Sequence, residues 1–397
     1  MMSGMADRHT DFDVVLLGAT GFTGGLAAEY LARHGPPGLR WALAGRDPGR
    51  LDAVRERVGR LGPAGATADT VVTDATDEAS LRSVTERTRV LATTVGPYAR
   101  IGEPVVAACA DTGTDYADLC GEREFVDLMW LRHHERALAT GARIVHACGF
   151  DSVPHDLGAL FTVQQLPAEV PITIAGYVRA GGGISGGTYQ SAVQSFSRMR
   201  ATAKVAEQRR RSAPRPRGRC IRALPDRLRR GPDGTGWAIP LPTIDGAVVR
   251  SSARALDRYG PDFAYGHFAL MRRLPVAVAT VVALGAVVAV AQLPPGRDLL
   301  LRARSAGRGP SDEQRAKSWF RVQFVGEGDG RRVVTEVCGG DPGYDGAALM
   351  LGESALCLAL DDLPSTAGQV TTAQSMGDRL RERIQAAGIE FRVVSST

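Results

Sequence analysis

Short apolar runs and longer amphipathic stretches alternate through the first part of the chain. Val14-Val15-Leu16-Leu17 reads as a buried strand that stops at Gly18 and gives way to Gly25-Leu26-Ala27-Ala28-Glu29-Tyr30-Leu31-Ala32, which reads as helix. Further strands are expected at Leu39–Arg46, Thr70–Thr73, Val90–Val95 and Arg143–Cys148. Helices fall between them over Arg50–Gly59, Glu103–Thr112 and about Phe125–Thr140. This alternation predicts an α/β fold: a Rossmann-type, doubly wound parallel sheet over residues 11–150. Beyond Asp151 the order changes. A strand over Val170–Arg179, a hairpin of Phe320–Val325 and Arg332–Val337 around Asp329-Gly330, and helices at about Asp345–Asp361 and Thr372–Ala387 predict a second, α+β domain over 151–397.

Two segments interrupt that second domain. Leu274 to Leu293 carries no charge, is flanked by Arg272-Arg273 and Pro294-Pro295, and is long enough to cross about 30 Å as a helix. A single span would put the C-terminal third across the membrane from the first domain, and Ala and Val make a weaker span than Leu. A helix buried in the protein or lying on a membrane surface is therefore expected. Residues 198–230 hold thirteen Lys or Arg against Glu207 and Asp226, so the rest of the chain is acidic, with 35 basic and 41 acidic residues. Like charges with Pro and Gly predict a flexible, solvated arm. A sharper reading docks it on anionic lipid or an acidic acyl carrier protein. Nucleic acid ranks third, because the segment has no aromatic residue to stack on bases.

At 397 residues the chain has ample length for two cores. The six cysteines are scattered with no C-x-x-C pair, which points to reduced thiols in a cytoplasmic setting and away from a disulfide frame or a zinc site. Met1 to Asp13 is polar and has no apolar core, so no signal peptide is expected. His133-His134, beside Arg132 and Glu135 in a helix, reads as a solvated face, and no metal site is assigned.

The candidate chemistry starts at Gly18-Ala19-Thr20-Gly21-Phe22-Thr23-Gly24. A strand that turns through three glycines into a helix is the layout of a dinucleotide site. Gly18 permits the turn, Gly21 lets a pyrophosphate approach, and Gly24 packs helix on strand; Thr20, Phe22 and Thr23 lie on the same loop. The helix N-terminus offers N–H groups and partial positive charge to phosphate. The second strand ends in Gly45-Arg46 where an NAD-preferring fold carries an acid, so Arg46 suits the 2′-phosphate of NADP(H). The bland alternative is a surface arginine. Asp74 follows the third strand as a neighbour of the adenine. Thr94, Gly96 and Pro97 follow the fourth, where a nicotinamide reaches. A second glycine-rich loop, Gly181 to Thr188, either holds an anion or is a flexible turn.

The residues so far, with Val95-Gly96-Pro97-Tyr98, Asp115-Tyr116-Ala117-Asp118, Gly121-Glu122, Cys148-Gly149-Phe150-Asp151-Ser152-Val153-Pro154 and Thr371 to Asp378, resemble the saccharopine dehydrogenase-like oxidoreductases, and among them the trans-acting enoyl reductase branch of mycobacterial type. The likeness is close over the first 190 residues, good over the last 60 or so, and poor across about 200–310. It implies an NADPH-dependent oxidoreductase, with NAD(H) the second choice. It also implies that the enzyme reduces an enoyl thioester in polyketide-type lipid or glycolipid biosynthesis, on a synthase or acyl carrier protein. The cytoplasm is expected from the cysteines, and contact with the inner membrane face from the charge of 198–230 and the apolar run 274–293, since nothing is carried over from the family there.

Such a reaction needs a proton donor near the nicotinamide and exclusion of water. Tyr98 is the candidate donor, and Asp151 orients it or the substrate. Tyr116 and His155 are lesser candidates, His155 standing where relatives often carry a small polar residue. For each, stabilising a turn is the competing role. The rival functions are a saccharopine-type amino-acid dehydrogenase, which needs several Arg or Lys to grip carboxylates, and a lipid- or membrane-associated nucleotide-binding protein without catalysis.

Overall fold

A computed structural model describes residues 10–182, 186–214, 216–303 and 309–397. Its strands, in chain order, are β1 Phe12–Leu17, β2 Trp41–Gly45, β3 Ala68–Val72, β4 Thr88–Thr93, β5 Asp115–Asp118, β6 Arg143–Val145, β7 Ile172–Gly181, β8 Cys220–Ala223, β9 Arg229–Arg230, β10 Trp237–Pro240, β11 Asp262–Met271, β12 Trp319–Gly328, β13 Arg331–Gly339, β14 Gly368–Val370 and β15 Glu390–Ser396. One sheet is parallel, in the order β3-β2-β1-β4-β5-β6-β14. Its first six strands have the dinucleotide-fold order, with the direction of winding reversing between β1 and β4. Val14 to Leu17 are fully enclosed, because helices cover both faces of a parallel sheet.

The second sheet is mixed, in the order β15-β13-β12-β7-β11-β10-β9, with β8 also on β11. The hairpin β12–β13 forms as expected, and Asp329 and Gly330 both take positive φ (51° and 73°), the turn that matches strand twist. Helix Val153–Gln164 leaves the first sheet and packs over the second, so one apolar core runs through both layers.

The division at residue 151 needs amendment. Helix Asp345–Leu360 returns to the first sheet and packs against helix Phe22–His34, where a Cβ on Gly352 would lie 2.6 Å from the Tyr30 ring. Tyr30 donates to Glu353 at 2.6 Å, Arg383 binds both Glu353 and Asp361, and β14 pairs with β6. The helix is apolar on all sides, as an element enclosed between layers must be. The expected helix Thr372–Ala387 is two helices, Thr372–Ser375 and Gly377–Ala386, broken where Gly377 takes a φ of 48°.

Over its described residues the basic segment is not a flexible arm, although no residue of its helix is buried. Met199–Ser212 is helical, and β8 and β9 join the second sheet. Acids contributed by other elements hold it: Arg198 pairs with Glu124, Arg209 with Asp127, Arg219 with Asp257 and Arg222 with Asp262. The apolar segment is a helix, Leu274–Ala291, but it is not buried in the protein: among its residues only Ala277 and Ala291 are buried. Val282 is 66% exposed and Leu293, just beyond, 62%. Residues 183–185 of the second glycine-rich loop lie outside the described residues.

Candidate active site at the carboxyl edge of the parallel sheet

Gly18 takes a φ of +91°, and a Cβ there would lie 2.8 Å from both Thr94 Oγ1 and Val95 Cγ2. Its N–H donates to Ala44, its carbonyl accepts from Gly21 N at 3.0 Å, and Thr94 Oγ1 donates to the same carbonyl at 3.3 Å. Gly24 presses on that carbonyl so closely that a Cβ would be 2.1 Å from it. Gly21 differs. It is exposed, and a Cβ would meet only Gly18 O, at 3.3 Å. The space in front of Gly21 is thus open, and the N–H groups of Phe22 and Thr23 at the helix start have no partner among the described residues. An unfilled cradle with unpaired donors at a helix N-terminus fits a pyrophosphate. The Phe22 ring is held from the other side by Tyr344, edge-on at 5.1 Å, and by Arg315.

Arg46 sits exposed after β2 and makes no hydrogen bond or ion pair among the described residues, so its guanidinium is available. Asp74 lies near it. Hydrogen bonds from Thr76 N and Oγ1 (2.9 and 2.8 Å), and then the charge of Arg46, hold the Asp74 carboxyl below its usual range. Arg50, which the sequence reading passed over, donates to Thr20 O at 2.9 Å and so braces the loop next to Arg46.

Beyond β4, Thr94, Gly96 and Pro97 form the expected turn, and the Gly96–Pro97 bond is cis. Tyr98 closes it, but as a structural residue. It is 7% exposed; its hydroxyl donates to Thr93 O and accepts from Leu119 N, both at 3.2 Å, while Glu122 accepts from Tyr98 N and Ala99 N. Burial drives the phenol pKa well up. The hydroxyl that was expected to donate a proton is spent on tying β4 to β5. Tyr116 is similarly used. With His146, Ala147 N and Cys120 N it surrounds Asp118, at 2.7 to 2.9 Å.

Asp151 is placed differently. It follows β6, keeps part of its surface accessible, and lies over Gly121, where a Cβ would be 2.7 Å from Asp151 Oδ2. Glycine at 121 is what lets the carboxyl lie there. Burial pushes its pKa up to about 6. Behind it lies a group that sequence reasoning missed in part: His155 Nε2 is 3.3 Å from Asp245 Oδ1, His267 Nε2 is 3.7 Å from Asp245 Oδ2, and Tyr265 Oη is 3.1 Å from His267 Nδ1. All are buried. Burial, then each other's proximity, holds His155 far below the usual imidazole range, and burial takes His267 down to about 3; Asp245 is pushed well up by burial and by Asp151. A carboxylic acid between two neutral imidazoles results. The ligand atoms of His155, Asp245 and His267 all lie within 4.8 Å of one another, so among the described residues these side chains could hold a metal ion.

Residues 14–145 match the model of the saccharopine dehydrogenase NADP binding domain. Over 98% of the chain and 99% of the relative, the sequence is 38% identical to a putative trans-acting enoyl reductase of Mycobacterium tuberculosis. The chain belongs to the trans-acting enoyl reductase family. A trans-acting enoyl reductase of Mycobacterium ulcerans is 35% identical over 99% of both chains. The fold is that of the apo saccharopine dehydrogenase (L-Glu forming) of Saccharomyces cerevisiae, at a TM-score of 0.57, 12% identity and coverage of 96% of this chain and 99% of that one. This member of the family is an NAD(P)H-dependent oxidoreductase with NADP(H) as the favoured cofactor.

In this family member the parts gather at one sheet edge. Gly18 to Gly24, Thr94 to Pro97, Gly121 and Asp151 follow β1, β4, β5 and β6, where ligands of open α/β sheets bind. Tyr98 lies beneath that surface, and Arg46 and Asp74 mark its far end.

Proposed function

We propose that this enzyme reduces the carbon–carbon double bond of an enoyl thioester presented by a polyketide synthase, in the assembly of a lipid or glycolipid. What carries the reading is the pairing of a nucleotide cradle at Gly18–Gly24 with an acid, Asp151, on the same sheet edge, in a chain whose full-length relatives bear the name enoyl reductase. The backbone of residues 18–24 holds the pyrophosphate and Arg46 the 2′-phosphate. NADPH, when bound, supplies hydride for the β-carbon. Asp151 then has two tasks. In its protonated form it hydrogen-bonds the thioester carbonyl or delivers its proton to the α-carbon, and a pKa of about 6 keeps that proton available near neutrality. Asp245, His155 and His267 lie behind it and exclude water, so that the charge developing on the thioester oxygen meets few competing dipoles.

The exposed helix Leu274–Ala291 supports contact with a lipid surface. Val276, Val278, Val281 and Val282 stand out from the protein, with Arg272 and Arg273 at one end and Arg297 beyond the other. The enzyme then works from the cytoplasm against the inner face of the membrane. The test is NADPH oxidation with a long-chain enoyl thioester beside saccharopine with NAD. Turnover of the thioester is expected. Turnover of the amino acid alone would move the enzyme to the saccharopine-type dehydrogenases, and turnover of neither would leave a nucleotide-binding protein.

A further inference from the structure

Helix Asp245–Ala255 carries Asp245 at its first residue and Arg250 and Arg254 further along. The Arg250 guanidinium is half-buried and has no hydrogen-bond or ion-pair partner among the described residues. Arg254 uses one nitrogen on the Arg250 carbonyl at 3.2 Å. Across from them, helix Arg123–Thr140 begins immediately after Gly121-Glu122, and Asp127 on it is shared: Arg123 reaches one carboxylate oxygen at 3.5 Å and Arg209 binds the other. The charge of Arg210 also acts on Arg254. Five guanidiniums therefore gather with Asp127 inside the group and Asp226 at its margin. Burial first, and then the charges of Arg123 and Arg254, bring Arg250 down to about 10. The helix's own C-terminal partial charge accounts for Arg254 in the last turn. It does not account for Arg250, and a half-buried cation without a partner is costly unless an anion completes it.

Helix geometry then sets a distance. At about 1.5 Å per residue, Arg250 lies roughly 7 Å and Arg254 roughly 13 Å along the axis from Asp245, which neighbours Asp151. A carboxylate close to the reacting double bond would fall short of that. A phosphate at the end of a pantetheine arm, equivalent to about four extended residues or roughly 15 Å, would not. We propose that Arg123, Arg250 and Arg254 form a binding site for the phosphate of a phosphopantetheine thioester, with the arm laid along helix Asp245–Ala255 and the acyl end at Asp151. Guanidinium forks match phosphate oxygens in pairs, which suits arginine rather than lysine at all of these positions.

This rests on the enoyl-thioester reading, and the experiment separates the two. One enoyl group is offered on pantetheine, on 4′-phosphopantetheine, on coenzyme A and on an acyl carrier protein, to the natural enzyme and to Arg250→Gln, Arg254→Gln and the double variant. The expected result is a KM at least tenfold lower for phosphopantetheine than for pantetheine, with the ratio falling below threefold in the double variant. A further gain for coenzyme A marks the nucleotide-linked thioester as the source, and a further gain for the carrier marks the protein-bound one. Equal KM values for pantetheine and phosphopantetheine in the natural enzyme overturn the proposal while the reductase stands. Calorimetric titration with the saturated phosphopantetheine thioester needs no turnover. Binding lost in the double variant, with its melting temperature kept, supports the site even if no enoyl substrate reacts; binding unchanged in that variant overturns it.

Discussion

Gly21 and Gly24 sit three residues apart in one loop, yet alanine at each should do opposite things. At Gly24 the new Cβ would lie 2.1 Å from the Gly18 carbonyl oxygen, 2.8 Å from its carbon and 2.8 Å from Thr94 Oγ1. The obstacle is backbone, held by Gly18 N to Ala44 O and by Gly21 N to Gly18 O, so the helix must lift off β1. Overpacking of this kind costs about 2–4 kcal/mol, or roughly 2–5 °C in Tm for a protein of this size. At Gly21 the backbone (φ −80°, ψ 169°) suits any residue, and the only close atom is Gly18 O at 3.3 Å. Stability should therefore change by less than about 1 kcal/mol. The methyl group, however, stands where the pyrophosphate must approach, and NADPH affinity should fall tenfold to a hundredfold, about 1.4–2.8 kcal/mol. Thermal melting and fluorescence titration with NADPH, run on both variants, read the two effects separately. If Gly21→Ala binds NADPH within twofold of the natural protein, the loop does not hold the pyrophosphate in the way described.

Three other changes follow from the same geometry. Arg46→Ala should weaken NADPH about tenfold, the value of one charge-assisted contact at an exposed site, and NADH less than twofold; equal losses in equilibrium titration would remove Arg46 from the 2′-phosphate. Asp151 must be protonated to act as an acid, so kcat should be full below its folded pKa and fall as pH rises through about 6. Asp151→Asn should lose that limb and about a hundredfold in kcat while NADPH affinity is kept; an unchanged pH profile would exclude Asp151 as the acid. Val281→Asp with Val282→Asp, on the exposed face of helix Leu274–Ala291, should abolish co-flotation with anionic vesicles and leave the melting temperature within a few degrees; undiminished flotation would place the contact elsewhere.

The nucleotide half of the molecule was legible because it rests on local rules. A β-branched run, glycines at fixed offsets and a helix start are all contiguous between Val14 and Ala32, and the structure shows Gly18, Gly21 and Gly24 doing three different jobs there. What escaped was long-range. Composition across 198–230 could not reveal that Glu124, Asp127, Asp257 and Asp262, all outside the segment, would pair with Arg198, Arg209, Arg219 and Arg222 and hold it to the protein. Nor could it reveal that helix Asp345–Leu360 returns to the first sheet, although an apolar surface on every side was a signal that the helix has neighbours all round. Asp245, His267 and Arg250 lie where family likeness is poor, and each is a single residue with no spacing to mark it. The alternation of β11 does put Tyr265 and His267 on one face, a faint sign that the two act together. Tyr98 was expected at the site because it follows the Thr94–Pro97 turn. Its position was foreseeable; that its hydroxyl would be used up by Thr93 and Leu119 was not.

The reaction proposed for this enzyme is hydride delivery to an enoyl thioester at the edge shared by Gly21 and Asp151. NADPH deuterated at the transferable C4 position, incubated with the enzyme and an enoyl thioester, tests it most directly. The saturated product should gain one deuterium at the β-carbon and one solvent-derived hydrogen at the α-carbon, and Asp151→Asn should slow both together. Deuterium that stays on the nicotinamide, with hydride transfer seen only from saccharopine to the oxidised cofactor, would contradict it.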